Sequence, residues 1–98
     1  MNIRKAFAKA LKETRKAKGL TQEDFSEISS RTYMSSLERG LKSPTLDKID
    51  ELASVLNVHP VTILMMSYTY LKKGESIESL FEKVSHEAKN IKALYKKT

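Results

Sequence analysis

The chain has 98 residues, 40% of them apolar, which suits one small domain with an economical helical core and leaves too little for two. It has no cysteine, so disulfides and thiolate metal sites are excluded, and two histidines far apart in sequence argue against a zinc site. The net charge of +6 lies at the ends: residues 1–18 carry +6, 19–45 carry −1, 46–71 carry −2 and 72–98 carry +3. No apolar run approaches membrane-spanning length, and the N-terminus bears regular charges where an export signal has an apolar stretch, so a cytoplasmic protein is expected. A glycine-rich phosphate loop, a metal cluster and a nucleophile near a histidine are all missing, so neither an enzyme nor a cofactor is expected.

In chain order, Ile3, Phe7, Ala10 and Leu11 recur at helical spacing, with Lys5, Lys9, Lys12 and Lys16 elsewhere around the axis, and predict a helix from Ile3 to Lys18. Gly19 supplies a left-handed stop, and Leu20 is the apolar residue that folds back after such a cap. Thr21 is placed to cap a second helix with Asp24 as the reciprocal partner, and Phe25 and Ile28 give it a short apolar face. Ser29-Ser30 then offers a cap for a third helix, Arg31 to Arg39, which Gly40 ends. Within it Met34 and Leu37 can pack, while Arg31, Thr32, Ser35 and Ser36 keep hydrogen-bonding tips on other faces.

Gly40 to Pro44 reads as a loop, and Thr45 caps a helix over 46–56 whose stripe Leu46, Ile49, Leu52, Ala53 and Leu56 belongs to the core. Asp47, Asp50 and Glu51 face away from that stripe without the pocket that acid–base chemistry requires. After the break Asn57-Val58-His59, Pro60 opens a helix to about Lys73. Apolar residues spread around its whole circumference, so one face is left over. Three covers fit: a second copy, the C-terminal segment, or a small apolar effector in a Met-lined pocket. The simplest is a second copy, and a homodimer is predicted with Val61, Leu64, Met65, Tyr68, Leu71, Ile77 and Val84 at its interface. Gly74 ends this helix, Ser76 caps the next, and Ile77 to about Lys96 forms a long amphipathic helix. In it Ile77, Val84 and Ile91 are seven apart and β-branched, as in the a positions of a two-stranded coil. That helix can fold back on its neighbour, cross to another subunit, or carry a different protein partner.

The run R-K-A-K-G-L-T-Q at Arg15 to Gln22, S-L-E-R-G at Ser36 to Gly40 and S-P-T-L at Ser43 to Leu46 resembles the lambda-repressor-like (Cro/CI or Xre) helix-turn-helix family over roughly residues 3–70. The resemblance implies an all-α, five-helix helix-turn-helix domain, taken as residues 1–73; residues 74–98 lie beyond it and add a C-terminal amphipathic helix for dimerisation or packing. It implies double-stranded DNA as the ligand, in a bacterial or phage transcription regulator of repressor type acting as a homodimer on an inverted repeat. By position in the family, Arg31, Thr32 and Ser36 are the base-contacting residues. Gln22, Tyr33, Ser35, Arg39, Lys42 and Ser43 are assigned to the DNA backbone, although Tyr33 can equally lean on Leu37. Arg15 and Glu38 are expected to form a partly buried bridge that sets the angle between helices. One departure is visible: the Gly-plus-apolar pair usual between the two helices of the motif is replaced by Ser29-Ser30 alone.

Overall fold

A computed structural model describes residues 1–97. Five α-helices follow one another: α1 (Ile3–Ala17), α2 (Arg31–Glu38), α3 (Leu46–Leu56), α4 (Pro60–Leu71) and α5 (Ile77–Lys96), with a 3-10 helix Gln22–Phe25 between α1 and α2. No strand occurs among the described residues, and no single helix is long and apolar enough to cross a membrane.

Each α-helix starts where a side chain can take an orphan amide. Asn2 accepts from Lys5, Ser30 from Tyr33, Thr45 from Lys48, His59 from Val61 and Ser76 from Ser79. Three helix ends close by one device, in which a left-handed residue lets the two amides after the cap turn back onto the last carbonyls. Gly19 bonds Lys16 and Leu20 bonds Arg15; Gly40 bonds Leu37 and Leu41 bonds Ser36; Asn57 bonds Ser54 and Val58 bonds Ala53. Gly40 carries a second constraint. With φ +70°, it brings the end of α2 so close to the start of α1 that an added Cβ would lie 3.2 Å from the Lys5 Cα and 3.0 Å from its Cγ. A side chain there is opposed by both conformation and space.

The segment after Thr21 departs from the sequence expectation. Asp24 accepts from the Thr21 amide (2.7 Å) and hydroxyl (3.2 Å), but regular structure ends at Phe25. The chain then proceeds through i→i+3 turns, Ser26 onto Glu23 and Ile28 onto Phe25. Serine hydroxyls compete here for the backbone bonds that a continued α-helix would need, and Ser29 donates its own to the Ser30 carbonyl. The first member of the helix pair is therefore one 3-10 turn, held down by the fully buried Phe25.

The core gathers Phe7, Leu11, Phe25, Met34, Leu37, Leu52, Leu56 and Ile63 from α1 to α4 and the 3-10 turn. Here α1 packs on α4 and α2, and α3 packs on α4. At the α1–α4 seam the Tyr70 hydroxyl donates to Glu13, and the Lys9 ammonium lies 4.3 Å from the Tyr70 ring centre. The bond to Glu13, with some help from burial, pushes the Tyr70 pKa up to about 12 from an ordinary 10. The folded protein then keeps a proton that the unfolded chain releases. Stability from this contact is full below about pH 10 and is lost as the pH climbs towards 12. Tyr70→Phe is expected to flatten the fall of Tm with pH over that interval, as thermal melts at stepped pH would register.

The long helix α5 has no buried residue. It packs on α4 and otherwise stands clear of the core, with Ile77, Phe81, Val84, Ile91 and Leu94 all more than two-fifths exposed.

Candidate nucleic-acid interface

On α2, Met34 and Leu37 are fully buried, so that face is turned inward. At 100° per residue the opposite face centres on Thr32 and Arg39, with Ser35 and Ser36 to either side and Arg31 at its edge. Arg31, Thr32 and Arg39 are exposed and Ser35 is half-buried. In the loop that follows, Lys42 and Ser43 are exposed as well. The surface is thus a short helix whose outer side presents two guanidinium groups and two hydroxyls, continued by an ammonium and a third hydroxyl.

A charged network fixes this helix. The Arg15 guanidinium donates to Glu38 through Nε (2.6 Å to Oε2) and Nη2 (2.9 Å to Oε1), and through Nη1 to the Leu20 carbonyl (2.9 Å). Both side chains are nearly out of solvent, 11% exposed for Arg15 and 3% for Glu38. A forked donor meeting a carboxylate at two points constrains direction as well as distance, so α1 and α2 cannot rotate about the contact. The bond to Glu38 raises the Arg15 pKa against the burial that lowers it. Gln22 joins them, donating from Nε2 to Glu38 Oε1 (3.1 Å). The end of α2, the end of α1 and the start of the 3-10 turn thereby meet at a single carboxylate.

Tyr33 and Ser36 lie differently from a simple outer row. Tyr33 is half-buried against the core, and the Lys48 ammonium stands 5.9 Å from its ring centre. Ser36 is 7% exposed. It shares a helix side with Thr32 four residues earlier, but its short side chain lies deeper than that of Thr32. Sequence reasoning passed over Lys48. From α3 it donates to the Ile28 carbonyl and pairs with Glu51 at 3.0 Å, closing the turn that lacks a regular helix end. No periodicity flags such a residue, because its partner is a backbone carbonyl 20 positions away.

Such a buried bridge beneath an outward polar helix and its capped loop defines a helix-turn-helix protein. The helix-turn-helix family profile matches residues 11–63, a span that runs from Leu11 in α1 to Ile63 in α4 and so includes the bridge, α2 and the loop behind it. The chain belongs to this family, of lambda-repressor-like Xre type, whose members bind DNA to regulate transcription. It is also similar to an HTH-type transcriptional regulator of Sinorhizobium fredii, y4dJ, with 41% identity over 66 residues, covering 65% of this chain and 86% of that protein. The profile match stops before α5.

Proposed function

We propose that the protein is a sequence-specific repressor that binds double-stranded DNA as a homodimer in the cytoplasm, with residues 1–73 reading the duplex and residues 74–98 helping to join two copies. The observation that carries this reading is the two-sidedness of α2: one side locked to α1 through Arg15 and Glu38, the other offering Arg31, Thr32, Ser35 and Arg39. Such a helix fits a major groove, where Arg31 can fork onto the O6 and N7 of guanine and Thr32 can meet an adjacent base edge. Arg39, Lys42 and Ser43 are exposed and read as phosphate contacts, and Gln22, Tyr33 and Ser35, each partly exposed, are read as further backbone contacts.

Selection of binding sites from random duplex DNA tests the proposal. An approximate inverted repeat is expected, with half-site centres about 34 Å apart, the separation of successive major grooves on one side of the duplex. Enrichment of a single unrepeated site would remove the dimer from the reading, and no enrichment would remove sequence-specific DNA binding. Lys42→Ala is expected to reduce the slope of log affinity against log salt by about 1 per bound copy while leaving base preference unchanged. A titration series in salt measures it.

A further inference from the structure

We infer that two copies of this chain join by antiparallel pairing of their α5 helices, the C-terminal half of each covering the apolar groove between α4 and α5 of the other. This rests on the dimer reading above and adds to it the element, the direction and the register.

With 12 residues α4 is about 18 Å long, whereas α5 with 20 is about 30 Å. A short connection, Lys72 to Ser76, sends α5 back along α4. By Val84 it has reached Val61 at the other end of α4, since both line the same groove. The remaining turns of α5 therefore run past the start of α4, carrying Ile91 and Leu94 at 64% and 56% exposure. Behind this overhang lies the groove, about 310 Å³ and walled by side chains such as Leu64, Met65, Tyr68 and Leu80. One chain thus bears an uncovered apolar end and an unfilled apolar trough, and two copies can satisfy both at once.

Spacing and charge then choose the direction. Ile77, Phe81, Val84, Ala88 and Ile91 alternate at four and three residues, the seam of a two-stranded coil. Residues 77–86 carry Glu78 and Glu82 against Lys83, whereas residues 87–97 carry four lysines against Glu87. Parallel pairing would set acidic half on acidic half and basic on basic. Antiparallel pairing sets acidic half beside basic half and also places the positive end of each helix dipole next to the negative end of the other. In that arrangement Phe81 of one copy meets Ile91 of the other, Val84 meets Ala88, and Glu78 lies beside Lys92.

The absence of native cysteine makes the register directly measurable. Full-length chains carrying Glu78→Cys and Lys92→Cys, mixed and oxidised without DNA, are expected to give a disulfide-linked heterodimer, while Ile91→Cys alone does not link to itself. Wild-type protein is expected to sediment at twice its 11.2 kDa mass, and Ile91→Glu to weaken dimerisation at least tenfold without altering thermal unfolding of the core. Self-linking of Ile91→Cys with no 78–92 product would overturn the antiparallel pairing and leave a dimer standing. A dimer indifferent to Ile91→Glu but broken by Met65→Glu would move the interface to α4 and overturn the inference. A monomer at all concentrations would overturn both it and the dimer reading, whereas DNA recognition is judged separately by the site selection.

Discussion

Replacing Glu38 by alanine is expected to remove about 3–5 kcal/mol of folding stability, the largest single-residue effect outside the apolar core. The magnitude follows from what is left behind. Glu38 accepts two bonds from Arg15 and one from Gln22, and it is 3% exposed. Once it is gone, a guanidinium 11% exposed keeps its charge with the Leu20 carbonyl as its remaining partner. Small domains have roughly 5–15 kcal/mol in total, so the variant should be partly unfolded at 37 °C. Glu38→Gln keeps shape and one acceptor and should fall between the two. Urea unfolding measures all three, and a loss below about 1 kcal/mol for the alanine variant would show that the bridge contributes little to the fold.

For Arg31→Ala the change should appear in recognition and not in the fold. Its side chain is exposed and makes no hydrogen bond or ion pair among the described residues, so the melting curve should match wild type. Against the selected operator the variant should lose about 1–3 kcal/mol, up to roughly a hundredfold in affinity, and should no longer distinguish that operator from one altered at the contacted base pair. Equal losses on both DNAs would make Arg31 a phosphate contact. The reading of Thr32 would then carry the specificity.

Much of the fold is legible in the sequence because caps, stops and apolar periods are local. Asn57, Gly19 and Gly40 mark the three helix ends, and Ile49, Leu52, Ala53 and Leu56 mark the inward side of α3, whereas Leu46, the first residue of that expected core stripe, stands 81% exposed at the helix start. The partnership of Arg15 with Glu38 has no local signature; it came from resemblance, and the geometry gives its two bonds. Four features lie beyond sequence reading for physical reasons. Whether Gln22 to Ile28 winds as an α-helix or a 3-10 turn depends on a hydroxyl competition that Thr21 and Asp24 alone do not decide. The depth of Ser36 depends on the heights of its neighbours, and the role of Lys48 depends on which carbonyl the turn leaves open. The uncovered length of α5 is a difference between two helices, visible only once both are placed.

The clamp at the end of α2 also determines which partner in a complex must yield. Because Glu38 ties the helix to α1 and Gln22 together, and Gly40 presses its end against Lys5, α2 has no freedom to swivel when an operator strays from ideal geometry. Adaptation then falls to the duplex. For the dimer proposed above, operators rich in pliable pyrimidine–purine steps between the half-sites should be favoured even where no side chain reaches them.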